Sequence, residues 1–237
     1  MSGSILVIGA TGSIGGAIAS HLPTDGFEVT LSGRSAEKLN ILSIDGAEQK
    51  IVADLSTEEG RQALVASSPE LDGVVFAAGV APLAPVRYLK EVDLEACFQL
   101  NACMPLLLVR DLLKAKKINK GASIVFLSSV SASKGAVGYA AYSGSKAALE
   151  ASARCLAVEL APKGIRVNCI APGMVESDMS DGFAENASAD ALEAHAKAYP
   201  LGVGRPQDVV GAVSFLLSDA SRWITGVTLP VDGGFTI

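Results

Sequence analysis

Ser4 to Gly9 is an unbroken apolar run, and similar runs recur at Glu28–Ser32, Ile51–Leu55, Val74–Gly79, Ser123–Leu127 and Ile165–Ile170. Continuous rather than alternating apolar character marks strands buried on both faces, as in parallel sheets. Between them lie segments of helical spacing: from the glycines after Gly9 to His21 or Leu22, Asp93 to Lys114, the stretch holding Tyr142 and Lys146, and Gln207 to Leu217. The stretch Val227 to Gly234 closes the chain as a further strand. This alternation predicts an α/β fold: a single Rossmann-like, doubly wound parallel sheet of about seven strands with helices on both faces, joined by right-handed crossovers. Its 237 residues fit one domain spanning 1–237, with no repeat or interdomain linker.

Composition narrows the function. Hydrophobic residues make up 49% of the chain and aromatics only 5%, with 24 glycines, which suits a layered aliphatic core. The net charge is −6 and no basic run is longer than Lys116-Lys117, so no nucleic-acid or anionic-membrane partner is expected. The chain starts directly into a strand pattern, and no apolar run approaches the ~20 residues of a membrane span, so a cytoplasmic location is predicted. Cys97, Cys103, Cys155 and Cys169 lack close spacing or a histidine cluster, which reads as reduced, packed thiols and no metal site. His21 falls on a surface helix and His195 in a polar segment, so neither serves a catalytic cysteine. Trp223 reads as a packing residue. The segment Asp178 to Pro200, rich in Ala, Glu, Asp and Ser, fits either a substrate lid at about 178–200 or a plain surface helix.

Two stretches carry chemistry. Gly9-Ala10-Thr11-Gly12-Ser13-Ile14-Gly15-Gly16 turns the first strand into the first helix, where glycines let the backbone approach a pyrophosphate and the free N–H groups of the helix start favour its charge. Tyr142 and Lys146 are four residues apart on a helix and can share one cleft. A free tyrosine has a pKa of about 10, and an ammonium one turn away is expected to lower it, making a proton donor that can serve an alkoxide. Ser129, at the end of the Ser123–Leu127 strand, would reach the same place and orient a carbonyl oxygen. After the second strand, Gly33 and Arg34 stand where an acid would select the ribose hydroxyl of NAD, and Arg34 suits the 2′-phosphate of NADP.

These features together resemble the short-chain dehydrogenase/reductase family over essentially the whole chain, and within it the carrier-protein-linked 3-oxoacyl reductases. The resemblance implies a catalytic set of Asn101, Ser129, Tyr142 and Lys146, with the carbonyl of Asn101 helping to hold a water between the lysine and solvent. It implies cofactor contacts from Gly9, Thr11, Gly12, Ser13, Ile14 and Gly15 in the first turn. Further contacts would come from Arg34, Asp54, Leu55, Ala78 and Gly79, from Tyr142 and Lys146, and from Pro172, Gly173, Val175 and Ser177 beside the nicotinamide. Asp54 would touch the adenine, with a helix N-cap at Asp54 or Ser56 as the other reading. The chain departs from the family pattern at Ile8, Ser13, Phe76 and Ala77, and the spacing of Gly9, Gly12 and Gly15 is that of the extended branch, whose members are usually longer.

The expected activity is reduction of a ketone by NADP(H), with NAD(H) also possible, or the reverse oxidation of a secondary alcohol. The substrate would be a small carbonyl or alcohol compound, and the resemblance implies a homo-oligomer, a tetramer or dimer, packed through the last helix and strand. The alternatives are an epimerase or dehydratase using bound NAD, or a dinucleotide-sensing protein without turnover.

Overall fold

Strand β1 (Ser4–Ile8) shows why the strand runs are continuous: Leu6 and Ile8 enter one core while Ile5 and Val7 enter another on the opposite face. The computed structural model describes residues 3–177 and 189–237, and among them β1 joins six other strands. These are β2 (Glu28–Gly33), β3 (Ala47–Val52), β4 (Leu71–Phe76), β5 (Ile118–Leu127), β6 (Arg166–Pro172) and β7 (Thr228–Val231). The sheet order is β3-β2-β1-β4-β5-β6-β7, with every neighbouring pair parallel. The order reverses direction between β1 and β4, which opens a crevice beyond their carboxyl ends.

Helices α1 (Ser13–His21), α2 (Ala36–Ile41) and α8 (Pro206–Leu217) cover one face through Ile18, Leu39, Val209 and Val213. Helices α3 (Glu58–Ser67), α5 (Met104–Lys114) and α6 (Ala140–Leu160) cover the other through Leu64, Leu108, Leu149 and Ala153, around the Phe76 and Phe126 rings. The fold is the predicted Rossmann-like doubly wound sheet.

The predicted helix from Asp93 to Lys114 begins earlier and is interrupted. Helix α4 (Glu91–Phe98) widens into a π turn at Gln99–Cys103 before α5. Pro105 has no N–H to return to the Asn101 carbonyl, so the α-helical ladder cannot continue there. The whole stretch Glu91–Lys114 is long and apolar enough, by length and composition, to cross a membrane. Met104, Leu108, Val109 and Leu112, however, are packed on the sheet, as in the core helix of a layered protein.

Other expectations need correction. Strand β3 ends at Val52, because Asp54 turns the chain by accepting from the N–H and hydroxyl of Ser56. Thr57, not Asp54 or Ser56, caps α3 by accepting from Gly60 N–H. Trp223 is 92% exposed and packs into no core. All four cysteines are free, but only Cys97 and Cys169 are buried, while Cys103 and Cys155 are exposed. Of the expected lid, residues 178–188 lie outside the described residues, and helix α7 (Ala189–Lys197) follows them.

Candidate active site

At the end of β5 the chain leaves the sheet, held there by bonds to neighbouring elements. Ser128 N–H donates to the Ile170 carbonyl at 2.7 Å, and the extended Ser129 carries its hydroxyl into the crevice. That hydroxyl accepts from Ser131 N–H at 3.2 Å and lies 2.9 Å from the Ser131 hydroxyl, so a tight turn locks its direction. Helix α6 then brings Tyr142 and Lys146 along one face. Ser129, Tyr142 and Lys146 line a single cavity of about 420 Å³ together with Gly79, as their spacing predicted.

The electrostatics differ from expectation. The Tyr142 phenol is pushed up to about 12, not down: burial dominates, and the Ser129 hydroxyl beside it draws it back only in part. Lys146 is buried, lies 5.8 Å from the centre of the Tyr142 ring, and donates to the Leu127 carbonyl at 2.7 Å. Burial pushes Lys146 down to about 8, opposed by the groups of Cys169, Cys97 and Glu150. With its ammonium desolvated and bound to a neutral carbonyl, the lysine does not dominate the phenol.

Asn101 stands behind this wall. Its side-chain oxygen accepts from Val80 N–H at 2.9 Å, and its amide donates to the Val80 carbonyl at 2.8 Å and the Ser145 hydroxyl at 2.9 Å. It thereby pairs with the loop after β4 as a strand would. Gly79 fits in the gap: a Cβ there would come within 3.1 Å of the Asn101 oxygen and 3.3 Å of the Lys146 nitrogen.

The first turn can receive a dinucleotide. Gly9 has φ +82°, and a Cβ on Gly15 would lie 2.2 Å from the Gly9 carbonyl, so the turn closes only with these glycines. At Gly12 a Cβ would meet nothing nearer than the Gly9 oxygen at 3.5 Å, and no side chain caps α1. The first N–H groups of the helix, from Ser13, Ile14 and Gly15, are therefore left for an anion over an open approach.

Ile14, Pro172, Gly173, Val175 and Ser177 line the same cavity as Tyr142, while Thr11, Gly12 and Ser13 border a shallower recess beside α1. Val175 is tied to Gly204 by a bridge, and the Ser177 hydroxyl donates to the Val175 carbonyl at 3.1 Å. Arg34 and Asp54 are exposed at the ends of β2 and β3, and the Asp54 carboxyl is held down first by its bonds to Ser56 and less by Arg34. The Leu55 side chain is buried and that of Ala78 packs against the same core, which leaves mainly their backbones for a ligand.

Of the residues on another wall of the cavity, His195 and Tyr199 fall in the segment 178–200 expected as a lid, whereas Lys134 and Phe235 carry no signal in the sequence. Lys134, His195, Tyr199 and Phe235 line the cavity from three separate segments. Tyr199 and Phe235 are stacked at 4.4 Å, and the Lys134 ammonium lies 3.7 Å from the centre of the Phe235 ring. His195 stands edge-on to Tyr199 at 5.3 Å, and the Tyr199 hydroxyl accepts from Met174 N–H at 2.9 Å.

The family model described as Enoyl-(Acyl carrier protein) reductase matches residues 9–236. The chain belongs to the short-chain dehydrogenase/reductase family. It is 36% identical over 234 residues to the 3-oxoacyl-[acyl-carrier-protein] reductase FabG of Rickettsia felis, covering 97% of this chain and 95% of that one. It is 32% identical over 244 residues to human dehydrogenase/reductase SDR family member 4, covering 97% and 86%. Among solved structures, a short-chain dehydrogenase family protein from Francisella tularensis superposes with a TM-score of 0.88 at 27% identity, covering 100% and 99%. The angucycline C-6 ketoreductase LanV with bound NADP superposes at 0.87 with 26% identity, covering 99% and 98%. As a short-chain dehydrogenase/reductase, the protein is an NAD(P)-dependent oxidoreductase that interconverts a ketone and a secondary alcohol.

Proposed function

We propose that this reductase uses NADPH to reduce the 3-oxo group of an acyl thioester, with Ser129, Tyr142 and Lys146 as its catalytic residues. The observation that carries the assignment is the meeting of these three side chains in one cavity beside the glycine turn. NADPH supplies the hydride when bound. Ser129 and Tyr142 hydrogen-bond the substrate oxygen, and Tyr142, whose phenol keeps its proton at neutral pH, gives that proton to the forming alkoxide. Lys146 contributes positive charge beside that oxygen and a donor for the nicotinamide ribose. Asn101 supports the Val80 loop and Ser145 rather than touching substrate.

Preference for NADPH is supported by Arg34, by the absence of an acid at that position, and by the bound NADP of the ketoreductase LanV. The acyl thioester is supported by the FabG relatives. Exposed Val92, Leu94 and Tyr88 in and before α4, and exposed Trp223 and Ile237 near the carboxyl terminus, support a homo-oligomer. The free thiols fit a reducing compartment such as the cytoplasm.

The test is to follow NADPH absorbance with a short 3-oxoacyl thioester, a panel of simple ketones, and the Tyr142→Phe variant. Turnover of ketones but no thioester would remove the substrate class, and full activity in Tyr142→Phe would remove the catalytic assignment.

A further inference from the structure

The face of α6 that carries Tyr142 and Lys146 continues one turn further to Glu150, at positions i, i+4 and i+8. Its carboxylate accepts a hydrogen bond from the Ser128 hydroxyl at 2.6 Å, the short length of a charge-assisted bond. Ser128 is 4% exposed and lies between Leu127, whose carbonyl receives Lys146, and Ser129. One carboxylate thus holds the strand end that serves both the cation and the hydroxyl of the site. Glu150 is half-buried, and its partly desolvated charge is favoured by opposite charge nearby: Lys146 lies one turn before it and Arg154 one turn after.

We infer that Glu150 is a positioning residue of the reductase: through Ser128 it fixes the Leu127–Ser129 corner, and its negative charge offsets the buried ammonium of Lys146. It touches none of the reacting atoms. The inference rests on the roles proposed above for Tyr142 and Lys146.

The groups facing Lys146 are Tyr142 and Glu150 on α6, Cys97 on α4 and Cys169 on β6. Burial pushes both thiols up, Cys169 to about 12, and the phenol also stands at about 12. All three are neutral near pH 8, so Glu150 is the carboxylate of the set. Arg154, one turn beyond it, bears on Cys169.

The experiment is an NMR titration of the cofactor-free enzyme carrying 13Cε-labelled lysine, with the Lys146 signal assigned by its loss in Lys146→Met. In Glu150→Gln the Lys146 midpoint falls by about one pH unit, the order of effect of one opposite charge at close range. The high-pH limb of kcat/KM for NADPH-dependent reduction moves the same way. In Ser128→Ala the midpoint stays, because the carboxylate remains, while kcat/KM drops about tenfold from the loosened corner. An unmoved midpoint in Glu150→Gln, or Ser128→Ala with wild-type kcat/KM, overturns the inference. If Glu150→Gln does not fold, Glu150→Asp keeps the charge and shortens the reach. It should hold the midpoint and lose activity, and equal activity would be the overturning result. Activity that survives Lys146→Met removes the underlying catalytic reading instead, whereas an inactive Lys146→Met with an unmoved midpoint in Glu150→Gln removes only the role of Glu150.

Discussion

Lys146 gives a hydrogen to the Leu127 carbonyl, 2.7 Å away, rather than to the phenol of Tyr142 on the preceding turn. A buried ammonium bound to one neutral oxygen is poorly compensated, which is why its pKa falls to about 8 from an ordinary 10.5. The fold therefore carries a cation that the proposed chemistry uses and stability does not favour.

Replacing that cation should stabilise the protein. Below pH 8 the native state bears the full penalty of holding the charge. Between about 8 and 10.5 the unfolded chain binds more protons at this lysine, so its contribution to stability rises with pH and the penalty is gone above 10.5. Lys146→Met removes the penalty of roughly 3 kcal/mol but leaves the Leu127 carbonyl unpaired, for a net gain of about 2 kcal/mol at pH 7. Urea denaturation at pH 7 and near pH 10.5 measures it: the gain should shrink across that interval while reduction is lost at both. A variant less stable than wild type at pH 7 would contradict this account of Lys146.

Tyr142 has the opposite sign. Its folded pKa of about 12 exceeds the ordinary 10, so the stability it contributes is complete below pH 10 and is lost as pH rises towards 12. Tyr142→Phe should remove that decline from the stability curve. Its kcat should fall by about 100 to 10,000-fold, the usual share of general acid catalysis, while the dissociation constant for NADPH stays within about threefold. Stopped-flow reduction and fluorescence titration separate the two quantities.

The proposed preference for NADPH rests on Arg34. It is exposed, so its bond to a 2′-phosphate would be partly screened, and Arg34→Ala should weaken NADPH by about tenfold while moving NADH less than twofold. Calorimetric titration with both nucleotides checks this, and equal losses for the two would remove Arg34 from the argument.

Within the first turn the glycines should divide by space. Gly15→Ala would place a Cβ 2.2 Å from the Gly9 carbonyl and should lower the melting temperature by more than about 10 °C or prevent folding. Gly12→Ala meets nothing nearer than 3.5 Å within the chain. It should melt within about 2 °C of wild type yet bind NADPH at least about tenfold more weakly, because the methyl enters the space above α1. Thermal melts with and without NADPH distinguish the two cases.

What could be read from residue order follows the range of the forces involved. Strands buried on both faces announce themselves as apolar runs, and Tyr142 and Lys146 meet because one helix sets their spacing. Strand β3 lies earlier than the apolar run predicts because Ala47-Glu48-Gln49-Lys50 is mostly exposed at the sheet edge and has no such run. The direction of the Tyr142 shift is not legible from spacing, which does not report where an ammonium points, and Leu127, which receives it, lies on another element. Lys134, Tyr199 and Phe235 belong to segments that only the folded sheet brings together.

That aromatic wall yields the last expectation. The Phe235 ring is stacked on Tyr199 within 9° of parallel and capped by Lys134, whose ammonium also donates to the Phe235 carbonyl at 2.6 Å. The carboxyl-terminal segment is thereby pinned to both sides of the cavity, to the loop after Ser129 and to the turn after α7. Phe235→Ala removes the stack and the ring beneath the ammonium, interactions of about 1 kcal/mol each, and opens the cavity wall that Phe235 forms. KM for the ketone should rise about tenfold, kcat should change by less than about threefold, and NADPH affinity should not change. Phe235→Tyr, which keeps the ring, should retain a near wild-type KM. If Phe235→Ala leaves KM untouched, the wall does not contact substrate; if it lowers kcat alone, the segment acts on the catalytic residues instead.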